Sequence, residues 1–117
     1  MTTLPIHIPR NSPPAVLCED LDAIEVNGKV PAGHFEFFKR QDRDDAGIFF
    51  GCPCGCGEMH SLDFRPHDGR RPSWEWNGNR ERPTLTPSVN ILQFDEAGNR
   101  VGEHWHGWLT DGQWRSC

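Results

Sequence analysis

Three cysteines within five positions constrain this chain more than any other feature of its sequence. Residues 51–57 read Gly-Cys-Pro-Cys-Gly-Cys-Gly, and the chain has two further cysteines, Cys18 and Cys117. Five is an odd number, and disulfides between cysteines this close together are strained, so the set is a poor disulfide framework. Clustered thiols separated by proline and glycine are instead typical of a metal-binding knuckle. The cluster therefore predicts a metal site that cross-links distant parts of the chain.

A single knuckle rarely supplies all four ligands of a tetrahedral metal, so a second group of ligands is expected elsewhere. The last segment of the chain offers two histidines two positions apart, which face the same side if that segment is a strand. We expect Zn²⁺ to be the bound metal. The candidate ligands are Cys52, Cys54, Cys56, His104, His106 and Cys117. His60 follows the knuckle closely enough to compete with them, and the sequence leaves open which four bind.

The fold class follows from short alternating segments and frequent turns. The chain has 12 glycines and 10 prolines in 117 residues, and no window shows the 3.6-residue apolar period of an amphipathic helix. Two alternating segments, 104–110 and 113–117, flank Asp111-Gly112, a dipeptide that favours a tight hairpin turn. The pattern predicts a mainly β protein, a small antiparallel-sheet domain with a zinc knuckle and a C-terminal β-hairpin.

Further strands are expected at 34–39, 61–65, 74–76 and 89–94, where apolar and polar residues alternate. A short strand at 23–26 runs into Asn27-Gly28, and the charged segment 41–46 is predicted to be a loop. We expect one domain over residues 1–117. Within it, the proline-containing residues 1–14 are expected to form an extended or loosely attached arm, and residues 48–117 a zinc-binding β core.

Charge and hydropathy bear on partners and location. The formal net charge of −5 disfavours nucleic acid as the partner, since a nucleic-acid-binding protein usually carries a basic face. No apolar run approaches the roughly 20 residues of a membrane span. The opening residues lack the basic and apolar regions of a signal peptide, so a cytoplasmic protein is expected.

A segment in the middle of the chain is a candidate binding surface. Two tryptophans and two arginines precede a stretch held stiffly between prolines, which suits a groove wall for a peptide, a carboxylate or a phosphate. These candidate binding residues are Trp74, Trp76, Arg80 and Arg82. The alternative, which the pattern favours, is that the tryptophans pack the core and the prolines end strands. Single-stranded nucleic acid is a further alternative, disfavoured by the surrounding acidic residues.

Three motifs in a fixed order resemble a known family. They are the knuckle at 52–57, the stretch Trp-Glu-Trp-Asn-Gly-Asn-Arg-Glu-Arg-Pro-Thr-Leu-Thr-Pro-Ser at 74–88, and Trp-His-Gly-Trp-Leu-Thr-Asp-Gly-Gln-Trp at 105–114. Together they resemble a family of small phage and prophage proteins with a zinc-ribbon-like domain of unknown function. Its members are sometimes mislabelled as ammonia monooxygenases. The resemblance covers residues 48–117 and leaves the first third of the chain without a counterpart.

The resemblance implies that the knuckle cysteines and His106 are metal ligands. The chain departs from the family pattern in two places. Its knuckle has three cysteines where two would suffice, and Glu103 and His104 stand where many relatives have a cysteine, so His104 is a candidate replacement for a thiolate. Some relatives lie beside ubiquitin-like conjugation genes, which implies that they handle peptides.

Two functions are compatible with these features. The first is a phage-type accessory module, held by structural zinc, that binds a phage or host protein in the host cytoplasm. It is supported by the small size, the Cys/His ligand set and the lack of a recognisable nucleophile–base arrangement. The alternative is a zinc-dependent hydrolase or peptidase with an open zinc position, in which Glu58 or Glu103 serves as general base. No His-Glu-x-x-His motif supports that enzyme, so the sequence favours the module and predicts no catalytic residue.

Overall fold

The computed structural model describes residues 12–41, 43–66, 69 and 72–117, and these residues form a mainly β structure. The expected mainly β class and the C-terminal hairpin are thereby confirmed. Nine strands follow one another along the chain: β1 (Val16–Leu17), β2 (His34–Arg40), β3 (Arg43–Gly51), β4 (Met59–Phe64), β5 (Ser73–Trp76), β6 (Leu85–Thr86), β7 (Val89–Phe94), β8 (Arg100–Thr110) and β9 (Gln113–Ser116). A 3₁₀ helix, Asp22–Ile24, is the one helical segment among the described residues.

The strands form two sheets. The first has six strands in the order β1-β2-β3-β4-β5-β6, and the second has three in the order β7-β8-β9. β2, β3 and β4 are antiparallel neighbours, whereas β1 joins β2 and β5 joins β4 in parallel. The second sheet is antiparallel throughout, and its β8–β9 hairpin turns at Asp111-Gly112, both with positive φ as a tight hairpin turn requires.

The core lies where aromatic side chains of the two sheets meet. Trp114 from β9 stacks on Phe50 from β3 with ring centroids 4.8 Å apart, and it meets Trp105 from β8 edge to face at 5.8 Å. Its indole N–H donates to the carbonyl of Gly33 over 3.0 Å, so the one polar atom of this buried ring is satisfied. This packing holds β8 against the first sheet. β8 contributes side chains to both of the groups described below.

Two local expectations were wrong. The segment 23–26 contains the end of the 3₁₀ helix, and only a single bridge between Val26 and Lys29 spans the Asn27-Gly28 turn. The charged segment 41–46 is mostly strand, because β3 begins at Arg43. Arg43 donates to three successive carbonyls at residues 64–66, and such partners from other strands let charged residues occupy a sheet.

The predicted arm falls largely outside the described residues, which begin at Ser12. Residues 12–14 lie against β9: the Ser12 hydroxyl accepts from the N–H of Ser116, and Pro14 forms a bridge with Gln113. The buried core also includes Phe35, which precedes the predicted core boundary at residue 48. The single domain and its division into arm and core stay predictions.

Candidate functional site

The knuckle occupies the loop between β3 and β4. Its backbone is closed by two short hydrogen bonds, from the N–H of Cys52 to the carbonyl of Glu58 (2.8 Å) and from the N–H of Gly55 to the carbonyl of Cys52 (3.0 Å). Gly55 and Gly57 adopt φ values of 87° and 90°, which residues with a Cβ rarely reach. Gly55, between the second and third cysteines, and Gly57, directly after the third, thus let the chain turn tightly enough to bring three thiols together.

Four side chains converge to form a group that can hold a metal ion. The ligand atoms of Cys52, Cys54, Cys56 and His104 all lie within 4.8 Å of one another. The Sγ atoms of Cys54 and Cys56 are 3.2 Å and 3.3 Å from Nε2 of His104, and the Sγ atoms of Cys52 and Cys54 are 3.2 Å apart. A bulge-containing strand, β8, therefore supplies the fourth donor from 48 residues beyond the knuckle.

The electrostatics of the thiols suit a cation. Burial raises the pKa of the Cys52 thiol, and its close thiol neighbours add to the rise. Burial likewise raises the pKa of Cys56. Thiolates packed this closely need a positive charge between them, which a divalent cation supplies. Three sulfurs and one imidazole nitrogen are four donors, the number typical of structural metal sites in proteins.

His106 and Cys117, the other two predicted ligands, lie outside this group. The Nε2 atom of His106 is directed at the hydroxyl of Ser88, and the Cys117 thiol lies 3.5 Å from Nδ1 of His106. His60 is also not part of the group, although its ring centroid is 6.3 Å from that of His104. Burial lowers the pKa of His60. The knuckle thus meets β8 at His104, which lies within 3.3 Å of two of its thiols.

A second cluster forms around His106, two residues further along β8. The Oγ atom of Ser88 lies 3.1 Å from Nε2 of His106. Ser88 directly precedes β7 and follows a cis bond between Thr86 and Pro87. Its carbonyl accepts a hydrogen bond of 3.1 Å from the indole N–H of Trp74, which anchors its backbone to the first sheet. The hydroxyl is thus held within hydrogen-bond reach of an imidazole, the spacing of a nucleophile and its base.

A carboxylate lies on the other side of the same imidazole. Oε2 of Glu103 is 3.8 Å from Nδ1 of His106, and Oε1 of Glu103 accepts from Nδ2 of Asn90 over 3.1 Å. In a regular strand, residues 103 and 106 would face opposite sides of the sheet. The register shifts there, since Ile91 pairs with Trp105 and Leu92 with Glu103. This bulge on β8 turns the carboxylate towards the histidine, as bulges beside active sites commonly re-aim side chains.

The predicted binding residues of the middle segment all have partners within the fold. Trp76 stacks on Phe64 with centroids 5.1 Å apart. Arg80 pairs with Asp45 and lies over the ring of Phe37 at 4.2 Å. Arg82 donates to Asp111 in the hairpin turn over 2.6 Å. These contacts hold the middle segment in place, and the Trp74 bond links it to the backbone of Ser88.

Sequence reasoning missed the pairing of Ser88 with His106. Both residues belong to the quoted motifs, Ser88 ending the Pro-Thr-Leu-Thr-Pro-Ser stretch and His106 lying within Trp-His-Gly, so a signal was present in the sequence. His106 was interpreted as a metal ligand because it is two residues from another histidine. Glu103 was considered only as a base acting on a zinc-bound water.

A hydroxyl in contact with an imidazole, with a carboxylate near the other ring nitrogen, is an arrangement that nucleophilic hydrolases use. A family model described as the bacterial ubiquitination-like system serine protease, BubE, matches residues 23–117, and the chain belongs to this family. No curated protein and no solved structure matches the chain. No helix of the described residues is long and apolar enough to span a membrane.

The family overturns the expectation of a non-enzymatic accessory module. Its description names a protease, which agrees better with the alternative of a hydrolase or peptidase. The expectation failed because a four-ligand metal group does not by itself argue against catalysis elsewhere in the chain. In the folded chain the metal group and the hydroxyl–imidazole pair are separate, so a closed metal site and a catalytic centre can coexist.

Proposed function

We propose that the chain is a serine peptidase in which Ser88 is the nucleophile, His106 the general base and Glu103 the residue that orients His106. The 3.1 Å contact between the Ser88 hydroxyl and Nε2 of His106 is the observation that carries this proposal. The membership of a family described as serine proteases supports it independently. The half-buried Ser88 and His106 remain reachable from solvent, as a centre that acts on a large substrate requires.

The proposed reaction is acyl transfer. The Ser88 oxygen attacks the carbonyl carbon of the scissile bond while its proton passes to Nε2 of His106. That proton then passes to the leaving nitrogen as the bond to the carbonyl carbon breaks, which leaves an acyl group on Ser88. A water molecule, deprotonated by His106, then attacks the acyl carbon; the bond to the Ser88 oxygen breaks, His106 returns the proton to that oxygen, and the carboxylic acid is released. Glu103 stabilises the imidazolium formed in each step.

Zn²⁺ is the metal we propose for the group of Cys52, Cys54, Cys56 and His104. Three thiolates with one imidazole form a donor set that suits zinc. When bound, the ion supplies a structural cross-link between the knuckle and β8. Its four protein ligands argue for that role over activation of water, and the cross-link holds the strand on which His106 lies.

The name of the family bears on partners and location. We propose that the substrate is a protein of a bacterial ubiquitination-like system. The scissile bond joins the carbonyl carbon at the end of that polypeptide to the leaving nitrogen. Such a role is consistent with a cytoplasmic enzyme. It requires a polypeptide partner and no nucleic acid, a partner that the net charge of −5 disfavours.

The test is covalent labelling of the purified protein with a fluorophosphonate, followed by peptide mapping by mass spectrometry. We expect one label per chain, on Ser88. The variant Ser88→Ala should lose the label, whereas the control Ser61→Ala, which changes an exposed serine on β4, should keep it. Absence of label from the metal-loaded protein, or a label on another serine, would contradict the proposal.

A further inference from the structure

The strand that begins beside Ser88 has an open edge. β7 pairs with β8 on one side, and in the part of the chain that the structure describes no other strand pairs with it. Among the described residues, no loop forms a backbone hydrogen bond with β7 either. An open edge presents unpaired N–H and C=O groups, which form a template for another extended chain. Here the template starts at the residue that follows the proposed nucleophile.

The register shows which residues of β7 face outwards. The N–H of Cys117 donates to the carbonyl of His106, so the backbone of His106 faces β9 and that of Gly107 faces β7. Val89 is the partner of Gly107 and therefore faces β8. Because hydrogen bonding alternates along an antiparallel strand, Asn90 and Leu92 direct their N–H and C=O groups to the open edge.

The side chains beside this edge are apolar and exposed. Leu92 and Phe94 lie on the same face of β7 as Asn90, the neighbour of Glu103, and they are 37% and 56% exposed. In natural proteins, charged residues or proline on an edge strand usually prevent other chains from pairing with it. β7 has neither. Six residues of strand span about 20 Å, enough to pair with four or five residues of an extended chain.

We propose that β7 is the substrate-binding strand, onto which the polypeptide preceding the scissile bond adds as an antiparallel strand. This inference rests on the proposed function. An antiparallel chain on β7 runs towards Ser88, so its carbonyl end reaches the nucleophile and its preceding residues lie beside Asn90 and Leu92. The substrate class is an extended protein tail with apolar side chains at alternate positions, held by backbone pairing as in β-augmentation.

The first experiment compares two phosphonate diphenyl esters on the metal-loaded protein. One carries a single acetylated alanine analogue, and the other a four-residue acyl segment of alternating leucine and threonine. In each, the Ser88 oxygen bonds to phosphorus, phenoxide leaves, and the serine proton passes through His106 to the leaving group. We expect the longer ester to inactivate at least about tenfold faster, the effect of one or two backbone hydrogen bonds. Equal rates would overturn the proposal.

Two variants of Leu92 separate the backbone from the side chain. Leu92→Pro removes an outward N–H at a position where an edge strand accepts proline, whereas Leu92→Ala shortens the side chain and keeps the N–H. For each variant we divide the inactivation rate of the longer ester by that of the shorter one. A change in the reactivity of Ser88 itself affects both rates and cancels in this ratio. We expect the ratio to fall to about one in Leu92→Pro, through the loss of the pairing, and by no more than about threefold in Leu92→Ala. An unchanged ratio in Leu92→Pro would contradict backbone pairing.

A matched pair of inhibitors makes the test independent of folding in the variants. The longer ester is methylated at one of two adjacent amide nitrogens, and both forms are tested on the unmodified protein. Because only every second amide of an added strand faces β7, one methylation should slow inactivation about tenfold and the other should not. Equal effects would overturn the inference. Failure of every ester to modify Ser88 would instead contradict the proposed function.

Discussion

The two histidines on β8 have different neighbours although they lie only two residues apart on the same strand. Nε2 of His104 faces two thiols at 3.2 Å and 3.3 Å, and Nε2 of His106 faces a hydroxyl at 3.1 Å. What differs is the element opposite: the knuckle lies against the first histidine and the Ser88 loop against the second. Under the proposed function, the same kind of side chain serves as a metal donor or as a base according to its neighbours.

The comparison also shows how the two groups differ in construction. Three of the four metal donors come from five consecutive positions, so local backbone geometry brings them together. The Ser88, His106 and Glu103 group depends on the pairing of β7 with β8 and on a bulge that sets Glu103 towards the histidine. The first group is thus largely local, and the second exists only in the folded sheet.

The largest expected effect is loss of the fold on loss of the metal. Structural zinc binds with an apparent free energy of roughly 10–16 kcal/mol, comparable to or above the whole stability of a small domain. We therefore expect the double variant Cys54→Ser, Cys56→Ser, or treatment with a strong chelator, to unfold the protein. Circular dichroism and elemental analysis measure this. The control is Cys18→Ser, at a cysteine outside the group, and a folded, metal-free double variant would rule out a structural role for the metal.

A matched pair of histidine variants should separate the two groups. We expect His106→Ala to lower peptide hydrolysis by about 10³- to 10⁴-fold through loss of the base, with one metal ion per chain retained. His104→Ala should instead lower metal content and the midpoint of thermal unfolding. Hydrolysis rates, metal analysis and thermal melts on both proteins check this. The same loss of metal in both variants would show that the groups are not independent.

The carboxylate of Glu103 should have a smaller effect than the base it orients. We expect Glu103→Gln to lower kcat by about 10- to 100-fold with little change in KM, since the group is partly exposed and acts through His106. Cys117→Ala tests the other neighbour of Nδ1 and should change kcat by less than about threefold, because a thiol is a weak hydrogen-bonding partner. A larger effect from Cys117→Ala than from Glu103→Gln would identify the thiol as the orienting group.

Asn90 should have a smaller effect than Glu103, because it acts on His106 only through that carboxylate. One hydrogen bond contributes about 0.5–1.5 kcal/mol, so we expect Asn90→Ala to lower kcat by about two- to tenfold. Adding it to Glu103→Gln should cause no further loss, as expected for residues that act in series. Steady-state kinetics on the two single variants and the double variant measure this coupling. Fully additive effects would show that Asn90 acts independently of the carboxylate.

Much of the fold and part of the site could be predicted from the chain alone. The alternation in 89–94 and the Asp111-Gly112 turn indicated strands that the structure contains, because alternation and turn chemistry are local properties. The segment 41–46 was misinterpreted because its charges are satisfied by distant residues, as the Arg43 bonds to carbonyls at 64–66 show. Charge alone does not reveal such partners.

By itself, the sequence determined that three thiols would lie together, that the chain would fold as a mainly β protein, and that its last segment would form a hairpin. These properties depend on residues within a few positions of one another. Only the tertiary structure decided that His104 completes the metal group while His106 meets Ser88, and that a bulge brings Glu103 beside it. The reason is physical: residues two apart on one strand can face different elements, and the packing of the two sheets determines what each histidine meets.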